Sequence, residues 1–305
     1  MGLFSKRETV TQNMAYLALM AAINVIFVLL TAIFQPLMFI MIFVLPLTST
    51  VVTLFCKKRF FPIYLVVTVG LCLLITSWAS IFDTFFYVLP SMISGFIFGV
   101  LIEKRVGAIY IIAISTVVQY ALTILTFFTL NAILTDINFI DVLLKMLGLG
   151  NFGFKDYFAS IFLFLLAIIQ TIITYVVIKY EIVKLGFEIN LDIGRKYILN
   201  IINLGLFSLA IIMFFVYGPL AYIAIFVNLI FIAYEVGEII LLKSKLLLIL
   251  IGLSLLTGLL LFIGFNSQIT KPLQFTLLST SFVLISAIYF ANYLFRNKTN
   301  STKIE

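Results

Sequence analysis

The chain has 305 residues, of which 64% are hydrophobic and 10% charged, and its formal net charge is +7. This composition excludes a soluble globular protein, because apolar runs of membrane-spanning length recur along the whole sequence. The basic residues lie in short clusters between those runs, as cytoplasmic loops require, so we expect the lipid bilayer and not a nucleic acid as partner.

Apolar runs of about 17–25 residues predict the transmembrane helices. Ten are found: 13–34, 37–56, 61–79, 84–102, 107–134, 157–179, 197–217, 219–242, 246–265 and 273–294. With a cytoplasmic N-terminus, sixteen Lys and Arg residues fall on the cytoplasmic side and three outside. The predicted fold is therefore an all-α polytopic bundle of about ten spans in the bacterial inner membrane, with both termini cytoplasmic.

The fourth span carries a stripe of small residues and a proline. Ser91, Gly95 and Gly99 recur every four residues, and this small-residue stripe predicts close approach of another helix. Pro90 predicts an interrupted backbone hydrogen bond one turn above the stripe. The stripe and the proline fit either helix packing alone or a kinked helix that lines a ligand site.

The fifth span carries a polar face at Thr116, Gln119, Thr123 and Thr126, which Gln170, Thr171 and Thr174 of the sixth span could oppose. This face fits either interhelical hydrogen bonding or a ligand site. The ligand hypothesis predicts an outward-facing pocket between the fourth, fifth and sixth spans, with Gln119, Thr123 and Gln170 in contact with the ligand. Its outer rim would carry Trp78 and Tyr87, which could cover apolar ligand parts, and Asp83, which could bind a cationic group.

Two longer connections follow. Residues 135–156 predict a short interfacial helix, acting either as a membrane-surface anchor or as a lid. The polar segment 181–196 predicts a cytoplasmic linker between a six-span domain, residues 1–180, and a four-span domain, residues 197–305.

The eighth span holds Glu235 and Glu238 three residues apart, with Asn228 two turns before Glu235. Acids inside a membrane segment usually face protein or water and mark functional sites. Glu238 lies near the inner end of the span and could extend to the headgroups. We therefore expect Glu235 to be the functional acid.

The sequence excludes the usual enzyme chemistries. It has no histidine, which removes histidine acid–base catalysis and histidine-ligated metals. The two cysteines, Cys56 and Cys72, predict neither a disulfide framework nor a metal cluster. Nucleotide-binding loops and serine-nucleophile elbows are absent. We expect no enzyme activity, no cofactor and no metal, and active transport would need a partner.

Four segments carry a resemblance to a known family: AYLALMAAINVIFVLL, FVLPLTST, CKKRF and FYVLPSMISGFIFGVLIEKR. Through them the first six spans resemble the substrate-binding S components of energy-coupling-factor transporters. The whole chain resembles the YybS-like bacterial membrane proteins, which place about four further spans after such a half. The resemblance implies a partner, a coupling membrane protein with ATPase subunits, which would contact Ala18 and Ala22 in the first span.

Two functions remain open from the sequence. The protein could bind a small molecule and pass it through the membrane, as the substrate-binding subunit of an energy-coupled importer. Alternatively, it could be a non-transporting membrane scaffold or regulator whose polar face only joins helices.

Overall fold

The computed structural model describes residues 6–34, 37–75, 84–133, 155–187, 197–216, 218–242, 244–264, 277 and 279–301. Within these residues the secondary structure is helical, with ten α-helices and no strand. The helices are α1 (Val10–Ile33), α2 (Met38–Phe55), α3 (Phe61–Ile75), α4 (Leu89–Glu103), α5 (Ala108–Ile133), α6 (Lys155–Lys184), α7 (Tyr197–Val216), α8 (Gly218–Leu241), α9 (Lys245–Gly264) and α10 (Thr280–Ser301). A 3-10 turn at Lys58–Phe60 precedes α3, and a π-helical turn at Thr84–Val88 precedes α4.

The all-α prediction is confirmed for the described part of the chain. Five helices there are long and apolar enough to cross a membrane, namely α1, α5, α6, α7 and α8, while α2, α4, α9 and α10 hold shorter apolar segments. The helices follow the ten predicted spans in order, but their ends differ. Helix α6 runs to Lys184 and α10 to Ser301, past the predicted ends at 179 and 294. The predicted spans end where the apolar run ends, whereas the helix itself continues through the polar residues that follow.

Large apolar side chains are exposed along many of the helices. Leu74 is 83% exposed, Phe215 77% and Leu241 77%. Water does not favour extended apolar surface of this kind, whereas lipid tails solvate it. The exposed surface therefore supports a membrane environment for the protein.

The chain divides into two compact units. The first comprises Met1–Lys155 and Phe162–Asp192, and the second Asp156–Ile161 and Ile193–Glu305. The assignment of 1–180 and 197–305 as domains, with 181–196 as a linker, stays a prediction. The predicted interfacial helix at 135–156 falls almost entirely outside the described residues.

The first unit is built around the packing of α2 on α4, with α1 on α2 and α3, and α5 on α4. The predicted stripe on α4 contacts α2. A Cβ atom added to Gly95 would lie 2.7 Å from the Cβ of Ser49, and one added to Gly99 would lie 2.6 Å from the Cβ of Thr53. Thr50 donates its hydroxyl to the carbonyl of Gly95 at 2.9 Å. The close approach predicted for the stripe is confirmed.

Pro90 lies in the first turn of α4, directly after the π-helical turn. Proline cannot donate a backbone hydrogen bond, and π-helical turns commonly accommodate such a change in the helical ladder. The interruption predicted for Pro90 therefore falls where the π-helical turn meets α4.

Backbone and side-chain hydrogen bonds join the start of α1 to the end of α2 at one end of the first unit. Thr9 caps α1 in a capping box with Gln12. Asn13 accepts a hydrogen bond from the backbone N–H of Lys57 at 2.9 Å, and the backbone N–H of Arg7 donates to the carbonyl of Phe55 at 2.8 Å. The start of α1 is thus joined to the end of α2.

In the second unit, α7 and α8 pack together, α10 packs on both, and α9 packs on α10 and α8. Three helices, α7, α8 and α10, therefore surround a common interior. This interior holds the eighth-span acid Glu235, which is fully buried.

Candidate functional site

The interior of the second unit contains a group of polar side chains that we call the carboxylate centre. It comprises Asn200 and Asn203 of α7, Asn228 and Glu235 of α8, and Ser286 of α10. Asn203, Glu235 and Ser286 are each 0% exposed, and Asn228 is 1% exposed. Asn228 and Glu235 are seven residues apart, so two helical turns place them on the same face of α8.

One carboxylate oxygen of Glu235 is fully engaged. Its Oε1 accepts a hydrogen bond from Asn203 Nδ2 at 2.9 Å and another from Ser286 Oγ at 3.1 Å. Asn203 Nδ2 also donates to Ser286 Oγ at 3.1 Å, and Ser286 Oγ lies 3.2 Å from Asn200 Oδ1. Asn228 Nδ2 contacts the backbone carbonyl of Asn203 at 3.4 Å. These bonds connect α7, α8 and α10.

Three buried oxygens of the carboxylate centre have no hydrogen-bond partner among the described residues. They are Glu235 Oε2, Asn203 Oδ1 and Asn228 Oδ1. The ion pairs found in the described part of the chain also leave Glu235 without a basic partner. An unpaired buried charge costs several kcal/mol or more. A positive charge bound beside Glu235 would remove this cost, so the centre is chemically suited to hold a cation.

Glu238 differs from Glu235 in surroundings. It is half-buried, and its Oε1 accepts a hydrogen bond from the hydroxyl of Tyr234, one turn away on α8, at 3.0 Å. The two acids of the eighth span therefore have different environments, and only Glu235 belongs to the carboxylate centre.

The first unit contains a second polar group, which we call the polar layer. It comprises Ser115, Thr116 and Gln119 of α5 and Gln170, Thr171 and Thr174 of α6. Gln119 is 3% exposed, and its Nε2 donates to Gln170 Oε1 at 3.4 Å. The two sets that the spacing predicts to oppose each other thus meet through this glutamine pair.

Most of the polar layer lacks hydrogen-bond partners within the described residues. The atoms concerned are Ser115 Oγ, Thr116 Oγ1, Gln119 Oε1, Thr171 Oγ1 and Thr174 Oγ1. Hydroxyls in helices commonly bond to the carbonyl four residues earlier. Thr123 makes such a bond, to the carbonyl of Gln119 at 2.9 Å, but the layer hydroxyls do not. The layer therefore has more hydrogen-bonding capacity than its own helices use.

The predicted rim of the pocket is described only in part. Trp78 and Asp83 lie outside the described residues. Tyr87 is half-buried in the π-helical turn and packs against the core of the first unit. Its assignment to a ligand rim stays a prediction.

Ala18 and Ala22 are exposed on α1, one turn apart. Their methyl groups lie on one face of the helix and leave its backbone accessible to another helix. This is the exposure that a partner-contacting pair needs, and the coupling role assigned to the pair stays a prediction.

A cleft of about 520 Å³ lies in the second unit beside α9 and α10. It is lined by Leu242, Ser244, Leu246, Leu247, Leu250, Ile288, Ala291 and Asn292. Most of these side chains are apolar, and none belongs to the predicted site residues. The cleft therefore offers little to a polar ligand.

Sequence reasoning missed the partners of Glu235. Asn200, Asn203 and Ser286 are isolated polar residues in otherwise apolar spans. Polar side chains in such spans commonly bond across helices, and this signal could have directed attention to Asn203 and Ser286. It does not show which helix each of them faces.

None of the known protein families, curated proteins or solved structures compared with the chain gives a significant match. The resemblance to S components and to YybS-like proteins stays a prediction based on the segments quoted above.

Proposed function

We propose that the protein is a multi-pass membrane protein that binds a small polar molecule in its first unit and passes it across the bilayer. The observation that carries this proposal is the polar layer of α5 and α6, where five buried side-chain atoms have no hydrogen-bond partner among the described residues. Buried polar groups are nearly always hydrogen-bonded. A hydrogen-bonding solute would satisfy these groups during its passage.

The composition of the layer favours an uncharged polar solute. Its side chains are hydroxyls and amides, which both donate and accept hydrogen bonds, and it contains no acid or base. A charged solute would lack a counter-charge among these groups, and burial of an unpaired charge is costly. The predicted contribution of Asp83 to a cationic group would apply only to a substrate with a second, charged part.

We further propose ten spans with both termini cytoplasmic in a bacterial inner membrane. The charge distribution supports this orientation. Lys6 and Lys58 both contact Glu103, at 3.0 and 2.5 Å. The N-terminal segment, the turn after α2 and the end of α4 therefore meet at one end of the first unit, which agrees with their common cytoplasmic side in the ten-span arrangement.

Uptake against a gradient would need an energised partner. The resemblance to S components favours a coupling membrane protein with ATPase subunits, and the exposed pair Ala18 and Ala22 offers a surface for it. The isolated chain would then bind the solute, and the complex would transport it.

A membrane scaffold is the second candidate function, and one observation favours it. Gln119 bonds directly to Gln170 across the helices, and the hydroxyl of Thr123 bonds to its own helix. Both are ordinary features of helix association. In a scaffold, however, the layer hydroxyls would stay unsatisfied, which is why we prefer solute binding.

Native mass spectrometry of the gently solubilised protein tests the proposal. We expect a bound small molecule in the wild type and its loss in Gln119→Leu. Thr129→Val is a matched control, because the exposed Thr129 hydroxyl bonds to the Leu125 carbonyl of its own helix at 2.8 Å. Co-purification of ATPase subunits would support coupling. A wild type without ligand, together with a Gln119→Leu variant at least as stable, would favour the scaffold.

A further inference from the structure

We propose that the carboxylate centre of the second unit is a binding site for a monovalent metal cation such as Na⁺. Glu235 Oε2, Asn203 Oδ1 and Asn228 Oδ1 would be its protein ligands. This inference does not rest on solute binding by the polar layer, because it concerns different residues in the other unit.

The orientation of the two amides follows from their partners. Asn203 Nδ2 faces a carboxylate oxygen, and Asn228 Nδ2 faces a backbone carbonyl. Both partners accept hydrogen bonds, so each amide must present its NH₂ group to them. The carbonyl oxygens of both amides, like the second oxygen of the carboxylate, therefore have no donor among the described residues.

The buried atoms of the carboxylate centre that lack a partner among the described residues are all acceptors. Asn203 Nδ2 has two recipients, Glu235 Oε1 and Ser286 Oγ, which accounts for both of its hydrogens. A cation that takes several oxygen ligands would satisfy these acceptors. Oxygen ligands of this kind bind hard cations.

The charge of the centre selects a monovalent ion. Glu235 is its only ionisable group, so one positive charge gives a neutral buried site. A divalent ion would leave one net positive charge in the interior of the unit, which is costly. The described residues also contain no group of three or more Asp, Glu, Cys or His side chains that could hold a metal ion. This speaks against calcium and transition-metal sites there.

A proton on Glu235 would satisfy the centre less completely. A protonated Oε2 donates one hydrogen bond and so could serve only one of the two amide oxygens. A metal cation takes several oxygen ligands at once, so it is not limited to a single acceptor as a proton is. The number of unpartnered acceptors therefore favours the cation over the proton.

Binding of ²²Na⁺ to the purified full-length protein, at constant ionic strength in choline chloride, tests the site. We expect saturable binding of one ion per chain in the wild type and its loss in Glu235→Gln. Glu238→Gln is the matched control: it removes the neighbouring acid of the same helix and should retain wild-type affinity. Asn228→Ala keeps the carboxylate but removes one ligand, and should bind about tenfold more weakly or worse.

Size-exclusion profiles of each variant separate loss of the site from loss of the fold. If Glu235→Gln does not fold, ²²Na⁺ binding by Asn228→Ala decides the proposal. A wild type that binds no ²²Na⁺, or equal binding in the wild type and Asn228→Ala, overturns the proposal. Stability that depends on pH but not on Na⁺ would identify a proton site and would also overturn it. Loss of solute binding without loss of ²²Na⁺ binding would affect only the proposed function.

Discussion

Gly95 of α4 lies against Pro46 of α2 with no space for a side chain between them. A Cβ atom on Gly95 would lie 2.8 Å from the Cα of Pro46, and the carbonyl oxygen of Pro46 would be closer still. Backbone atoms cannot move aside as the end of a flexible side chain can. The α2–α4 packing at the centre of the first unit therefore depends on glycine at position 95.

Gly95→Ala should destabilise the first unit by about 1–3 kcal/mol, the usual cost of overpacking. Gly70→Ala is the matched control, because a Cβ on Gly70 of α3 meets nothing within 4 Å. Thermal unfolding of both variants in the same detergent measures the difference. Equal melting temperatures for the two variants would show that α2 can move away from α4 at little cost.

The sequence predicts that α4 packs closely against another helix, but not which helix this is. The spacing of Ser91, Gly95 and Gly99 predicts a close helix partner, because small residues on one face have few other uses in a membrane. It does not identify α2 as that partner. The choice depends on Pro46, Ser49 and Thr53 presenting a complementary surface, and periodicity within one helix contains no information about its neighbour.

A buried hydrogen-bond network joins α1, α2 and α3. Asn24 Nδ2 lies 2.6 Å from the hydroxyl of Tyr64, and Thr48 donates to Asn24 Oδ1 at 2.7 Å. All three side chains are buried. Tyr64→Phe should lower stability by about 1–2 kcal/mol, because it removes a partner of the buried Asn24 amide.

A double-mutant cycle of Tyr64→Phe with Asn24→Ala measures this network. We expect the two substitutions to cost less together than the sum of their separate effects, since each removes the same bond. Thr129→Val is the control for loss of a hydroxyl that bonds within its own helix. Additive effects of Tyr64→Phe and Asn24→Ala would mean that the bond between them contributes nothing.

Glu103 at the end of α4 bonds to Lys58 at 2.5 Å and to Lys6 at 3.0 Å. The hydrogen bond from Lys58 is the main reason that the pKa of Glu103 lies below its ordinary value of 4.5, and Lys6 lowers it further. A carboxyl group with a lowered folded-state pKa stabilises the fold above its unfolded pKa. That stabilisation is lost as the pH falls through the folded-state pKa.

Glu103→Gln should therefore be less stable than the wild type at neutral pH, and the difference should shrink as the pH falls below 4.5 and disappear below the lowered folded-state pKa. The groups are partly exposed, so we expect less than about 1 kcal/mol, with a smaller effect at high salt. Unfolding across a pH series checks this. Glu181→Gln is the control, because Glu181 pairs with Lys184 of the same helix. A difference that persists at acid pH would contradict the electrostatic explanation.

Of the carboxylate centre, the sequence predicts the acid Glu235 but not its hydrogen-bond partners. The depth of Glu235 in an apolar span predicts a functional acid, and its complete burial agrees with a protein-facing position. Its partners Asn203 and Ser286 are 32 and 51 residues away in the sequence. Such contacts depend on which faces of α7 and α10 turn inwards, and this is decided by packing over the whole unit.

Membrane orientation can be tested by cysteine labelling. The ten-span arrangement places Asn151 outside and Asp192 in the cytoplasm, both beyond the described residues. The native Cys56 and Cys72 are 3% and 0% exposed, so they should react slowly and can be replaced for a clean background.

We expect an impermeant thiol reagent to modify Asn151→Cys from outside intact cells and to leave Asp192→Cys unmodified until the cells are permeabilised. Reversed labelling would overturn the orientation that the sixteen-to-three distribution of basic residues predicts. Labelling of both positions from outside would overturn the single span, α6, that separates them.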